Sequence, residues 1–134
     1  MMDYTDEFSF ILKQSTIQNA GIGVFATHPI NPATLIRVAP KYIRSRRLKS
    51  RQIPDAFKTY CIIEDDETYR APLRFNRMEI GWFINHSFTP NIEKRDGNFY
   101  ALRAIAAGEE IVIDYNQFNE PEALKEGYYK IIQG

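Results

Sequence analysis

The stretch FINHSFTPN at residues 83–91, together with GEEIVIDY at residues 108–115, decides how this chain folds. The first stretch follows an apolar approach and carries hydrogen-bonding side chains in a segment that Thr-Pro-Asn turns back on itself. The second begins at a glycine, alternates like a strand, and ends in an acid and a phenol. With GIG at residues 21–23, these stretches predict a site for a polar cofactor beside a narrow aromatic channel.

The composition is typical of one globular domain. Of the 134 residues, 44% are hydrophobic and 13% aromatic, which is enough to form a buried core. Lysine plus arginine and aspartate plus glutamate number 17 each, so the overall charge favours neither nucleic acid nor a membrane as partner. The single cysteine, Cys61, excludes an internal disulfide and a multi-cysteine zinc site, and we predict no metal.

The amino-terminal sequence MMDYTDE, residues 1–7, is acidic and lacks the apolar segment of a secretory signal. No apolar run approaches the roughly 18 residues that a membrane span requires. We therefore expect a soluble, cytoplasmic protein, with the nucleus or a host cell left open as alternatives.

Short strands separated by turns dominate the predicted secondary structure. Alternation over residues 8–12 predicts a first strand with one strongly apolar face, and residues 24–26 and 35–38 predict two more. Prolines at positions 29, 32 and 40 exclude a long helix in this region. Residues 57–63 fit either a strand or a short helix.

The second half of the chain is predicted to add helical turns and a hairpin. Residues 77–83 fit one or two helical turns, whereas residues 98–105 and 110–115 fit two strands joined by a tight connection. In the last strand, Tyr115 would share a face with the apolar residues two and four positions before it. The sequence NEPE at residues 119–122 offers an N-cap, an early proline and an acidic first turn, which predicts a carboxy-terminal helix.

The sequence GIGVFA at residues 21–26 fits the G-x-G-x-x-A fingerprint of dinucleotide-binding proteins. In that fingerprint a helix starts at the glycines and holds the pyrophosphate at its N-terminus. Pro29 and Pro32 prevent such a helix, so a nicotinamide-dependent oxidoreductase is strongly disfavoured. The glycines then either form a turn between strands or let the backbone approach a ligand closely.

Asn85 and His86 can each donate and accept hydrogen bonds, which suits recognition of a purine edge or an amino-acid head group. The alternative is that both side chains satisfy buried backbone groups. For Tyr115 the same choice stands, between a hydroxyl at the rim of a cavity and a tyrosine that ends a core strand.

In this order, the three segments resemble the motifs of the SET-domain protein lysine methyltransferases. GIGVFAT at residues 21–27 resembles the family's glycine motif. The stretch at residues 83–91 is similar to its Asn-His-Ser…Pro-Asn motif. EIVIDY at residues 110–115 is similar to its E-L-x-x-D-Y motif, with isoleucine for leucine.

The resemblance covers about residues 9–118 and implies a mostly β architecture, the SET-domain or β-clip fold. This fold has several small sheets, and a carboxy-terminal segment threads beneath a preceding loop to form a pseudoknot, an exception to the usual avoidance of threading. A short carboxy-terminal helix over about residues 119–132 would cap it. Residues 1–134 would then form a single domain.

The resemblance further implies transfer of a methyl group from S-adenosylmethionine to a lysine side-chain amine of a protein. The amine, the methyl carbon and the leaving sulfur must lie in line. The amine must also be neutral, which at pH 7 costs about 4.6 kcal/mol for a lysine pKa near 10.4. A dry aromatic channel and the positive sulfonium both favour loss of the proton.

Two tyrosines carry the implied catalytic role. By resemblance, Tyr115 orients the amine and contacts the methyl region of the cofactor. Tyr60 is our candidate for a second channel tyrosine, with Tyr69 as its rival and a purely structural role as the alternative for Tyr60.

The implied cofactor-binding residues come from two segments. The backbone of Gly21, Ile22 and Gly23 would pass near the methionine part of S-adenosylmethionine. Asn85 and His86 would hold the cofactor through side-chain and backbone hydrogen bonds, and Tyr115 would complete the set.

The sequence departs from many family members because it has no Cys-rich zinc segment to close the site. Phe118, Tyr128 and Tyr129 are candidates for covering the channel, either from a short helix or from a partner subunit. Packing of that helix against the domain is the alternative. Ile113, two residues before Tyr115, leaves the degree of methylation open.

The implied partner is a protein or peptide with a target lysine, for which a histone-like tail is the family expectation. A homodimer is left open. The basic run at residues 41–51 and the acidic run at residues 64–67 are interpreted first as solvated surface, so nucleic acid is not favoured. The rival function is a catalytically silent SET-like module that binds a partner peptide.

Overall fold

The computed structural model describes residues 4–38, 45–118 and 120–121, and short strands make up most of this part of the chain. The strands are β1 (Phe10–Gln14), β2 (Ile22–Ala26), β3 (Leu35–Ile36), β4 (Ser45–Lys49), β5 (Ile62–Ile63), β6 (Thr68–Pro72), β7 (Asn85–His86), β8 (Ile92–Arg95), β9 (Asn98–Ala101) and β10 (Glu110–Ile113). The helical elements are α1 (Asp55–Lys58) and 3-10 turns at Ser50–Gln52, Phe75–Arg77, Ile80–Phe83 and Tyr115–Phe118. No helix in these ranges is long and apolar enough to cross a membrane.

The strands form three small sheets, with strand orders β1-β2-β10-β7, β3-β9-β8 and β4-β6-β5. Strands β7 and β10 run parallel, with Asn85 opposite Val112 and His86 opposite Ile113, whereas the other paired strands named here are antiparallel. The predicted mostly β fold of several small sheets is thus confirmed. The parallel pair also brings residues 85–91 beside residues 110–115, as the expected pseudoknot requires.

The hydrophobic core joins strands of the first two sheets. Its most deeply buried members are at most 1% exposed: Val24, Ile92, Ile105, Ile111 and Ile113. Burying each such side chain contributes roughly 2 kcal/mol of transfer free energy. Because Ile111 and Ile113 are alternate residues of β10, one face of this strand enters the core, as its sequence pattern predicts.

The prediction of a strongly apolar face on the first strand is wrong. Phe8 precedes β1 and is 75% exposed, and within the strand Phe10 is buried while Leu12 is 40% exposed. Strand β1 lies at the edge of its sheet and pairs with β2 alone among the described strands, so most of it extends past the core.

The last predicted strand ends earlier than expected, at Ile113. The Asp114 carboxylate accepts the backbone N–H of Asn116 at 2.9 Å, which turns the chain into a 3-10 segment that begins at Tyr115. Tyr115 therefore does not share a strand face with Ile113.

Other predicted boundaries shift in the same way. The predicted strand at residues 98–105 ends at Ala101, and the one at 35–38 ends at Ile36. Residues 57–63 contain the end of α1 as well as strand β5, so both alternatives occur there. The predicted carboxy-terminal helix, with Tyr128 and Tyr129, lies outside the described residues apart from positions 120 and 121.

Asn91 joins the two segments that opened the sequence analysis. Its side chain is fully buried, and its Nδ2 donates to the Glu109 carboxylate at 3.0 Å and to the Glu110 carbonyl at 2.7 Å. Its Oδ1 accepts the N–H of Val112 at 2.8 Å. The amide therefore serves as an extra hydrogen-bonding partner for the backbone of β10 and for the turn before it.

We expect Asn91→Ala to lower the free energy of unfolding by about 3 kcal/mol, because it removes three side-chain hydrogen bonds and leaves buried backbone groups without partners. Urea-induced unfolding measures this change. The matched control is Asn76→Ala at an exposed position, where we expect a change within about 0.5 kcal/mol. Similar losses in the two variants would contradict the role assigned to Asn91.

Candidate functional site

The glycine segment and the Asn-His segment meet through the side chain of Asn85. Its Nδ2 donates to the Ile22 carbonyl at 3.0 Å and to the Glu110 carboxylate at 3.0 Å. Because an amide nitrogen carries two hydrogens, both donors of Asn85 are used by the protein. Any contribution of Asn85 to ligand binding therefore falls to its Oδ1 and its backbone.

Glu110 is a site residue to which sequence reasoning gave no role. Its carboxylate is buried and accepts hydrogen bonds from the Ser15 hydroxyl at 2.8 and 2.9 Å. It also accepts bonds from the Thr16 N–H at 3.0 Å, from the Thr16 hydroxyl at 2.8 Å, and from Asn85. Burial opposes ionisation, but the hydrogen bonds from Asn85, Thr16 and Ser15 outweigh it and lower the pKa of Glu110. The ionised carboxylate thus connects the β1–β2 loop to β7.

Gly21 and Gly23 are glycines for different structural reasons. Gly21 adopts a φ of +73°, in the left-handed region that glycine occupies without strain, and so supports the turn interpretation. A Cβ at Gly23 would lie 2.5 Å from Oε2 of Glu110 and 3.3 Å from Nδ2 of Asn85. Gly23 is therefore needed for the close approach of the protein's own carboxylate. The predicted approach of this backbone to a ligand stays a prediction.

His86 lies on β7 with its side chain buried against the turn that follows β10. Its Nδ1 accepts the backbone N–H of Tyr115 at 3.1 Å and lies 3.7 Å from the Asp114 carboxylate. Burial lowers the pKa of His86, while the charge of Asp114 acts in the opposite direction. The ring is therefore neutral at pH 7, with its proton on Nε2. These contacts support the structural alternative for the His86 side chain, and its role in cofactor binding stays a prediction.

Tyr115 is held by both its backbone and its hydroxyl. The hydroxyl donates to the Ile84 carbonyl at 2.8 Å, just before β7 begins. Its ring lies 5.3 Å from the His86 ring and 6.0 Å from the Phe118 ring, measured between centroids. The position of the phenol is therefore fixed relative to the Asn-His segment.

A cavity of about 240 Å³ opens beside Tyr115, and Tyr60 also lines it. Tyr60 packs edge-on against Phe83, with 5.5 Å between ring centroids. Tyr69, the rival candidate, is not among the described residues that line the cavity. Among the described residues, the other aromatic side chains that line it belong to Trp82, Phe99 and Phe118. The two predicted catalytic tyrosines thus share one aromatic cavity.

Three of the predicted cofactor residues, Ile22, Gly23 and Asn85, form a second group next to Glu110, whereas His86 and Tyr115 lie on the other side of β7. Successive side chains of a strand point to opposite faces, so Asn85 and His86 leave β7 in opposite directions. Asn85 contacts Ile22 and Glu110, whereas His86 packs on Tyr115. Strand β7 therefore separates the glycine segment and Glu110 from the aromatic cavity.

Residues 21–116, well over half of the chain, match the family model described as the SET domain. The chain belongs to the SET-domain family. No curated protein sequence matches this SET domain significantly.

Among solved structures, this SET domain is similar to a crystal structure from Plasmodium falciparum described as a "putative histone methyltransferase". The identity is 24%, the TM-score is 0.51, and the match covers 81% of this chain and 93% of that one. At this identity the likeness supports the fold alone. It agrees with the family assignment and with the small-sheet architecture.

We expect the stability of this SET domain to fall as the pH is lowered through the ordinary histidine pKa of about 6.5. In the unfolded chain His86 takes up a proton near pH 6.5, whereas burial keeps it neutral in the folded protein. The unfolded state then binds more protons, so acid favours unfolding below that pH, until the folded protein also protonates His86. Carboxylates with lowered pKa, such as Glu110, contribute only at lower pH.

Urea unfolding at a series of pH values measures this dependence. We expect the variant His86→Gln to be less stable at about pH 7.5 and to show a flatter pH dependence. Parallel pH profiles for the two proteins would contradict a buried neutral His86.

Proposed function

We propose that this SET domain transfers a methyl group from S-adenosylmethionine to the amine of a lysine in a protein substrate. The observation that carries the proposal is the position of Tyr115. Its hydroxyl is held 2.8 Å from the carbonyl of Ile84, the residue before Asn85, and its ring lines the aromatic cavity. The phenol is therefore fixed between the Asn-His segment and the cavity. In this position it is suited to orient an amine that enters from the cavity toward a methyl donor on the Asn85 side.

The residues around Glu110 fit S-adenosylmethionine in their charge. The Glu110 carboxylate receives its hydrogen bonds from the uncharged groups of Ser15, Thr16 and Asn85, so its negative charge remains available to a cation. S-adenosylmethionine carries a cationic amino group and a sulfonium, and it supplies the activated methyl group when bound. Asn85 and the backbone of residues 21–23 would hold it there.

The side chains that line the cavity orient the lysine amine and favour its neutral form. The Tyr115 hydroxyl donates its proton to the Ile84 carbonyl, so its oxygen acts as the acceptor for a hydrogen bond from the amine. That bond directs the nitrogen lone pair toward the methyl donor. The rings of Tyr60, Trp82 and Phe118 surround the amine with apolar surface and exclude water, which favours its neutral form. Positioning and desolvation therefore replace a dedicated acid–base pair.

We expect Tyr115→Phe to lower the rate of methyl transfer by about 100-fold, because the amine loses its orienting oxygen. The assay follows label from S-adenosylmethionine carrying a radioactive methyl group into a mixture of lysine-containing proteins. The matched control is Tyr69→Phe, which removes a hydroxyl outside the cavity lining and should leave the rate unchanged.

Equal rates in Tyr115→Phe and the unaltered protein would contradict the role of Tyr115. Cofactor binding without transfer to any protein would overturn the enzyme and favour the silent peptide-binding module. The cytoplasmic location, the homodimer and the histone-like tail stay predictions that this assay does not require.

Glu110→Gln is expected to weaken the binding of S-adenosylmethionine about tenfold, measured by calorimetry. The substitution removes the negative charge and places an amide nitrogen against the donors of Asn85, Thr16 and Ser15.

The adjacent Glu109→Gln is the matched control. The Glu109 carboxylate instead accepts bonds from Arg103 at 2.7 Å and Asn91 at 3.0 Å. We expect Glu109→Gln to lower the free energy of unfolding and to leave the affinity for S-adenosylmethionine unchanged. Equal affinities for S-adenosylmethionine in the unaltered protein, Glu110→Gln and Glu109→Gln would contradict a role of Glu110 in cofactor binding.

A further inference from the structure

The aromatic cavity is bordered by cations. Among the described residues that line it, the side chains with a formal charge at pH 7 are Arg70, Lys94 and Glu120. The Glu120 carboxylate is buried and accepts the N–H of Ile63 at 2.6 Å, so the two cations outnumber one negative charge in this lining. Lys94 is exposed and Arg70 is partly exposed, so both side chains can meet a ligand.

Arg70 belongs to a group of cations on the β4–β6 pair. Arg47 and Arg70 both contact the single carboxylate of Glu64, each at 2.8 Å, so one negative charge is shared between two guanidinium groups. Arg46, the neighbour of Arg47 on β4, donates to the Pro72 carbonyl, an uncharged partner. Strands β4 and β6 beside the cavity therefore carry cations and no acidic residue, while the acidic run at residues 64–67 lies in the connection between β5 and β6.

The field of this group reaches the cavity wall. Burial raises the pKa of the Cys61 thiol to about 11, and the positive charge of Arg46 acts against that rise. Cys61 lines the cavity, so the charge of Arg46 acts at this part of the cavity wall.

Lys94 adds a cation from a different sheet. It lies on β8, and its ammonium group is 5.7 Å from the centre of the Phe118 ring, which itself lines the cavity. The backbone N–H of Lys94 donates to the Gln117 side chain at 2.9 Å, which holds this strand against the turn after β10. Cations thus border the cavity from two independent elements.

We propose that the cavity takes a lysine whose neighbours in the substrate are acidic, rather than a lysine within a basic tail. This inference rests on the proposed function and names its substrate class. Carboxylates beside the target lysine would pair with Arg70 and Lys94, whereas arginines or lysines there would be repelled at separations within the Debye length of about 10 Å. The same cations disfavour the charged form of the bound amine, which is the form that cannot react.

The test uses three peptides that each contain one target lysine, flanked by aspartates and glutamates, by serines and alanines, or by arginines. Both kcat/KM with labelled S-adenosylmethionine and peptide affinity by fluorescence anisotropy are measured. We expect the acidic peptide to exceed the uncharged one about tenfold in both, the arginine peptide to be poorest, and the differences to shrink as salt is raised.

Two charge reversals locate the effect. Lys94→Glu is expected to abolish or reverse the acidic preference. Its neighbour Arg95→Glu is the matched control, because successive side chains of β8 point to opposite faces and Arg95 packs over Tyr100 outside the cavity lining. An acidic preference that survives Lys94→Glu unchanged would overturn the assignment of Lys94.

Failure of the proposed substrate class and failure of the proposed function give different results. Methyl transfer without an acidic preference, or with a basic one, overturns the substrate class and leaves the enzyme in place. An acidic preference in peptide affinity without methyl transfer supports the charge selection and overturns the proposed function.

Discussion

The parallel pairing of β7 with β10 is the constraint on which the rest of the structure depends. Each strand contributes only two residues to this ladder, so its own hydrogen bonds are few. The buried side chain of Asn91 adds three more, to β10 and to the turn before it. This amide therefore reinforces the short ladder that holds the segment carrying Tyr115 beside Asn85. A fully buried polar residue therefore stabilises this fold together with its isoleucine core.

The same pairing divides the site in two. Asn85 points toward Glu110 and the glycine segment, and His86 points toward Tyr115 and the cavity. The two compartments differ in charge: the buried Glu110 carboxylate lies on the first side, while Arg70 and Lys94 outnumber Glu120 among the described charged residues that line the second. A negative field suits a sulfonium donor and a positive one suits a neutral amine. The electrostatics thus fit a reaction in which the two reactants meet across one strand.

Rigid positioning is built from contacts that have no catalytic chemistry of their own. The neutral ring of His86 accepts the Tyr115 backbone N–H, and the Tyr115 hydroxyl binds the Ile84 carbonyl, so two independent hydrogen bonds fix the phenol. On the other side, Gly23 is glycine because the Glu110 carboxylate occupies the space of a side chain. Motif residues that look like ligand contacts therefore also organise one another.

The sequence by itself determined the mostly β character, several strands of the core such as β2 and β10, and the order of the three motifs, whereas the family resemblance implied the pairing of the Asn-His segment with the segment ending at Tyr115. The predicted strands and the motifs follow from local periodicity and short patterns, which a chain expresses within a few residues. Only the tertiary structure decided the role of Glu110, whose hydrogen-bonding partner Ser15 lies 95 positions away. It also decided that Phe8 is exposed and that Tyr60 rather than Tyr69 lines the cavity. Such contacts depend on which distant strands become neighbours, and no local pattern records that choice.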